Sequence, residues 1–414
     1  QDLSSNVFEL AETLTVAGRN LTERHPTWAA SLLGGAVRQV EGKAADAAEP
    51  NLVDRLKVLA YDGLGDARYK IQLQRPAGVR DWTGAEWAFS ESSLLMKSLY
   101  NTDEGAWRGA RAETLARLGR ARLRQQKWMS AEAALAEAES LLKALYDVDQ
   151  DRWRGTRALT LARLGHARLR QQKWMSAEAA LAEAESLLKA LYDVDQDRWR
   201  GTRVLTLARL GHARFRQQKW GAAEAFAEAK PLLKALYDDQ DTWRRNCAAC
   251  CLNLGVVAFH QGKPRAALQA FGDALRITEA AAGQLQEQVR THVTQDMVPE
   301  KAPLGAPVAD GLPRRLREVF LRWKAYVHRA RILATNDWPA ARTSLETAVE
   351  EIDAIRAELP TYEARVTWQR KTVFVIEALK DLSLAHGDAE ALFRWHGLKA
   401  RTWAEVTAAR RARG

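Results

Sequence analysis

Arginine carries most of the chemistry that this sequence offers. Arg117, Arg120 and Arg124 stand at i, i+3 and i+7, the spacing that places side chains along one face of a helix. The same frame returns as Arg163, His166 and Arg170, and again as Arg209, His212 and Arg216. Guanidinium groups ranked in this way clamp carboxylates or phosphates by charge-assisted, often bidentate, hydrogen bonds. The other reading of the same residues is a solvated helix face neutralised by Glu and Asp of the adjacent helices. A formal net charge of +10 agrees with an acidic partner, protein or nucleic acid, and says nothing about fold.

Other constellations fall short of a site. Cys247 and Cys250 have CxxC spacing, but no second pair completes a zinc tetrad and Cys251 adjoins them, so small helix-packing residues are the expectation. With these three cysteines alone, a disulfide framework is excluded and a reducing compartment fits. His386-Gly387 and His396-Gly397 lack a nucleophile and read as helix ends. The acidic run Asp147-Val148-Asp149-Gln150-Asp151 and its copy lack the glycine and distal Glu of a calcium loop and read as solvated turns. No phosphate-binding glycine loop occurs. Trp82, Trp128, Trp174, Trp220 and Trp338, beside basic residues, resemble base-stacking platforms, but their fixed place between two helices argues for packing. Neither a metal nor a cofactor is expected, and an enzyme acting alone has no site to support it.

The elements that must position the ladder recur. Residues 121 to 174 and 167 to 220, offset by 46, are identical except for Ala158 against Val204 and Leu169 against Phe215. Trp107, Trp153 and Trp199 mark the same period, as do Tyr100, Tyr146 and Tyr192, with Tyr237 one residue short. Self-similarity at such a period is the signature of a stacked solenoid. Arg154 to Lys173 and Ser176 to Tyr192 carry apolar residues at three-and-four spacing, so each unit is a helical hairpin. Ser176 is the expected N-cap of the second helix, and Asp193 to Asp197 the polar return loop.

Leu164-Gly165, followed by Ala177, Leu181 and Ala184, resembles the tetratricopeptide repeat. Leu118-Gly119 with Ala131, Leu135 and Ala138 keeps the frame, as does Leu254-Gly255 with Ala267, Phe271 and Ala274. An earlier unit has Leu64-Gly65, Ala85, Phe89 and Ser92, with an insertion around Arg75 to Gly78, and Trp338, Ala341, Leu345 and Ala348 form a later one. The resemblance implies an all-α, right-handed superhelical solenoid of tetratricopeptide-like hairpins, with first helices lining a concave surface and the Arg ladder partly facing inward. Two departures stand out. The period is 46 residues instead of the family's usual 34. Arg122, Arg168 and Arg214 occupy the place of a buried Tyr, so the residue one place on, Tyr69, Leu123, Leu169, Phe215 or Phe259, is expected to pack instead.

Four segments are expected: an N-terminal helical cap over 1–50, the repeat array over 51–285, a Pro- and Gly-containing loop or hinge over 286–314, and C-terminal hairpins over 315–414. Roughly residues 340 to 410, with Glu350-Glu351-Ile352-Asp353-Ala354-Ile355, Glu363-Ala364-Arg365 and Leu398-Lys399-Ala400-Arg401, resemble the stretch preceding the peptidase in tetratricopeptide CHAT proteins. That resemblance implies a regulatory repeat region for a caspase-like cysteine peptidase, in a family with members in bacterial defence. No Cys follows His386 or His396, so the family's His-then-Cys dyad is absent from this chain. A start at Gln1 and a basic tail at Arg410, Arg411 and Arg413 suit a piece of a longer polypeptide. The expected function is a cytoplasmic protein-binding scaffold or sensor; the alternatives are a basic nucleic-acid-binding solenoid and a free-standing adaptor.

Overall fold

Ala, Leu and Glu at three-and-four spacing build helices through the whole of the structure, a computed structural model describing all residues except 1–2, 42–49, 77–78, 220, 240–242, 293–313, 359–361 and 394–414. The chain divides into two units, residues 1–217 and 218–414. In the first, α1 (Leu3–Leu21), α2 (Pro26–Glu41), α3 (Pro50–Gln74), α4 (Thr83–Thr102), α5 (Glu104–Arg124), α6 (Trp128–Val148), α7 (Gln150–Arg170), α8 (Trp174–Val194) and α9 (Gln196–Arg216) pack each on the next. The second contains α10 (Ala222–Asp239), α11 (Arg244–His260), α12 (Pro264–His292), α13 (Arg314–Leu333), α14 (Trp338–Glu358) and α15 (Tyr362–Ala385). The described residues contain no strand, and each unit is a stack of tetratricopeptide-like helical hairpins.

The repeat motif is the packing code. Ala131, Leu135, Ala138, Ala177, Leu181, Ala184, Ala267, Phe271, Ala274, Ala341, Leu345 and Ala348 are all buried. The glycine of each Leu-Gly pair lies under the large residue of the second helix. A Cβ on Gly165 would stand 2.5 Å from Leu181 Cγ, and one on Gly255 2.5 Å from Phe271 Cε1. Trp153 and Trp199 have a related task, because each seats on a glycine of the preceding first helix, Gly109 and Gly155. The first helices α5, α7 and α9 thereby pack on one another while α6 and α8 stand further apart, which puts α5, α7 and α9 on the inside of the curve within the first unit.

The connections are tighter than the sequence suggests. Asp193 to Asp197 is not a return loop: α8 runs on to Val194 and α9 begins at Gln196, leaving Asp195 alone between them. Its carboxylate accepts from Arg198 N at 3.1 Å, and Asp103 and Asp149 do the same for Ala106 N and Arg152 N. These aspartates are N-caps, satisfying amide donors at the positive end of the helix. Ser176 is not the N-cap of α8, since Lys173 holds that place and Ser176 Oγ donates to the Lys173 carbonyl. At the other turn the chain passes through the left-handed region at Gln126 and Gln172 (φ 60° and 61°), where Gly262 and Gly387 stand in the second unit. Lys127 N and Lys173 N close the turn on the carbonyls of Arg122 and Arg168.

In the second unit α12 continues to His292, so the Pro- and Gly-containing segment 286–314 begins as helix; residues 293–313 lie outside the described residues. Phe271 of α12 shares one core with Val319 and Trp323 of α13, Leu345 and Ile352 of α14, and Trp368 and Val375 of α15. His386 ends α15 and stacks on Trp338 at 4.6 Å. His396 and Trp220 are outside the described residues. No helix among the described residues is long and apolar enough to cross a membrane.

Candidate functional site

Several rows of arginine recur from repeat to repeat in the first unit, and two that bridge hairpins are structural. Arg111, Arg157 and Arg203 are buried between hairpins. Arg157 Nε donates to Glu139 of α6 at 2.9 Å, its Nη2 meets Glu183 of α8, and the guanidinium covers the Tyr146 ring. Arg203 binds Glu185 at 2.8 Å in the same way. The second row, Arg122, Arg168 and Arg214, replaces the buried Tyr of the tetratricopeptide pattern. Arg168 Nε donates to Glu132 of the preceding hairpin at 3.2 Å and Nη1 donates to the Ser176 carbonyl at 3.1 Å; Lys173 and Gln171 share the same carboxylate. Those donors hold Glu132 below the ordinary carboxylate range, against the opposing effect of burial. Of the residues expected to pack beside this row, Tyr69 and Leu169 are buried, whereas Phe259 is 45% exposed.

The third row is the predicted ladder, on α5, α7 and α9. Its first member is neutralised: Arg117 donates to Asp62 at 2.5 Å, lies 3.6 Å from Asp66 and 3.2 Å from Glu113. Burial alone would depress its pKa, and the three carboxylates outweigh it. Arg120 covers the Tyr69 ring at 4.3 Å, and Arg124 Nε donates to Tyr69 Oη at 3.1 Å.

Arg163 and Arg209 differ. Neither has an ion pair or a hydrogen bond among the described residues. Counted from the Leu-Gly pair, the places of Asp62, Asp66 and Glu113 are taken by Ala116 and Arg120 of α5 and by Leu159 of α7. The acids that answer Arg117 therefore have no counterpart one step along. Both residues are half-buried, and each guanidinium is pushed down to about 10, by burial first and then by other arginines, Arg120 acting on Arg163 and Arg124 on Arg209. His166 is pushed down to about 3 by burial, Arg209, Arg170 and Arg124, and His212 is lowered by burial and Arg216. Both imidazoles are neutral at ordinary pH and add hydrogen-bonding capacity without adding charge. A half-buried row of like charges is unfavourable as it stands, and an anion placed beside it would relieve both the repulsion and the lost solvation.

The turn tryptophans lie against the His and outer Arg of the ladder. Trp128 lies 5.7 Å from His166 and under Arg170 at 4.8 Å, and Trp174 lies 6.0 Å from His212 and under Arg216 at 5.0 Å. Their rings are covered by the protein's own cations, so they hold the ladder in place. The sequence singled out Arg122, Arg168 and Arg214 but not their Glu partners, and it did not reveal the row of Arg111, Arg157 and Arg203; the signal for both was an Arg repeating in step with Glu132 and Glu178, and with Glu139 and Glu185.

The cysteines contribute no reactive thiol. All three are buried, and burial pushes Cys250 up to about 12. No cluster of three or more His, Cys, Asp or Glu among the described residues is placed to hold a metal ion.

No protein-family model matches the sequence, and no curated protein matches it. Among solved structures, the apo form of RapI is similar at 10% identity over 98% of this chain and 99% of its own, with a TM-score of 0.47. BtubC (BKLC) from P. vanneervenii is similar at 15% identity over 67% of this chain and 92% of its own, with a TM-score of 0.41. A Rap protein complexed with competence and sporulation factor has 12% identity, coverage of 91% and 99%, and a TM-score of 0.35. Likenesses this distant carry nothing about ligands.

Proposed function

We propose that this protein is a binding scaffold that holds an acidic segment of a partner protein in the slot across α5, α7 and α9. The observation that carries the proposal is the pair Arg163 and Arg209, unpaired among the described residues, half-buried and set among further cations, while the row of Arg111, Arg157 and Arg203 and the row of Arg122, Arg168 and Arg214 are matched to Glu. Carboxylates supply the missing counter-charge with bidentate geometry. Nucleic acid, which the net charge of +10 favours, is served less well, because one face of Trp128 and of Trp174 is already covered by Arg170 and Arg216.

The test is direct. Arg163→Glu combined with Arg209→Glu is expected to weaken binding of a fluorescein-labelled poly-glutamate peptide at least about ten-fold, or about 1.4 kcal/mol, with circular dichroism unchanged. Equal affinity for the variant and the native chain removes the slot from consideration. Tighter binding of a single-stranded DNA oligomer than of the peptide, falling steeply with salt, assigns the slot to nucleic acid instead.

A finer reading makes this scaffold the regulatory part of a caspase-like peptidase system, on the same polypeptide or a partner, with a role in bacterial defence. It rests on the resemblance of residues 340 to 410 to the pre-peptidase stretch of CHAT proteins. The reading frame past Gly414 tests it: a following His and Cys in caspase-like context supports it, and a stop codon removes it from this polypeptide.

A further inference from the structure

The contacts that join one hairpin to the next are the same in successive steps. Arg168 to Glu132 is 3.2 Å and Arg214 to Glu178 is 3.1 Å. Gln171 reaches Glu132 at 2.8 Å and the Trp128 carbonyl at 3.3 Å; Gln217 reaches Glu178 at 2.9 Å and the Trp174 carbonyl at 3.3 Å. Arg157 to Glu139 and Arg203 to Glu185 differ by 0.1 Å, at 2.9 and 2.8 Å. The Arg and His over each turn Trp repeat to within 0.3 Å (4.8 and 5.7 Å against 5.0 and 6.0 Å). One rigid step thus carries Arg163 onto Arg209 and His166 onto His212.

A ligand that satisfies both arginines must present its anions at that same step. α5, α7 and α9 pack directly on each other through the Gly109–Trp153 and Gly155–Trp199 contacts, and helices in direct contact are about 8–10 Å apart. An extended polyproline-type chain rises about 3.1 Å per residue with three residues per turn, so its every third side chain returns to one face after about 9 Å. Resting on the slot as the binding site, we infer that the partner segment is an extended acidic chain with a carboxylate at every third residue, read one carboxylate per repeat. Each 46-residue copy then adds one anion site to the slot.

Two length variants of the full chain test this. In one, residues 151–196 are duplicated after Gln196; in the other they are deleted. Both joints preserve the native sequence on either side, because Gln150-Asp151-Arg152 and Gln196-Asp197-Arg198 are alike and the Trp, Glu and Gln that face each new interface are the same residues. Twelve-residue labelled peptides with Glu at every third position, and scrambled peptides of equal charge, are titrated against each chain. The expected result is at least a three-fold gain in affinity on insertion and a three-fold loss on deletion, for the in-register peptide only. Affinity independent of copy number or of Glu spacing overturns the inference; if Arg163→Glu with Arg209→Glu still weakens binding, the slot stands. If neither peptide binds the native chain, slot and inference fall together. Should the lengthened chain lose helical circular dichroism, the deletion variant and the peptide pair decide the matter, and preference for single-stranded DNA in the same titration also overturns the inference.

Discussion

Replacing Arg157 by Met is expected to cost the fold about 3 kcal/mol, the lower end of the range for breaking a buried pair because Glu183 remains half open to water. Arg157 is 5% exposed and joins three helices, with Glu139 of α6 on one side and Glu183 of α8 on the other. Burial already lifts the Glu139 carboxyl above its ordinary range, with Arg157 opposing the shift, and Glu139 Oε2 has no hydrogen-bond partner. Without Arg157 that carboxylate is left dry and uncompensated. Because its folded pKa then rises further above the unfolded value, the deficit grows as pH rises through the carboxylate range and is larger at pH 7 than at pH 4. Urea unfolding at both pH values measures it. Arg157→Met joined with Glu139→Leu should regain most of the loss, since an apolar pair of similar volume replaces the charges. A loss independent of pH, or a double variant as weak as the single one, would show that Arg157 acts by packing alone.

The second large effect is expected at Gly165. Gly165→Val should destabilise by about 3 kcal/mol through overpacking. Its nearest neighbour is the branch carbon of Leu181, buried between the helices, with the Ala177 carbonyl at 3.3 Å. Neither can move aside without shifting α8. Gly272→Ala supplies the contrast: it is helical with nothing within 4 Å of the added Cβ, so it should stabilise by up to about 1 kcal/mol through backbone entropy. Thermal unfolding of the two variants is predicted to move in opposite directions. A stabilising Gly165→Val would break the link between the Leu-Gly pair and helix approach.

Both sites belong to the part of the molecule that the sequence displays most openly. A period of 46 and the Leu-Gly, Ala, Leu, Ala frame were enough to find the hairpins, because close packing permits only small residues where helices meet. That the ladder residues share one face of each helix was legible too, since i, i+3, i+7 spacing determines which side chains stand together. What the spacing did not reveal was which arginines are answered by acids. That depends on contacts across hairpins, such as Arg117 with Asp62, 55 residues away, which no local pattern encodes. The loops misled for a related reason. Asp-Val-Asp-Gln-Asp has the composition of a turn, yet its middle aspartate caps α7 or α9 and lets helix follow helix almost without interruption.

That near-absence of slack has a mechanical consequence. Where a single Asp149 or Asp195 joins two helices, tension applied along the first unit finds no loose segment to straighten. It must be taken up as small rotations of whole helices against their neighbours, shared among equal steps. Such a stack would yield as a spring does, and a ligand held across α5, α7 and α9, as proposed above, would set its rest length.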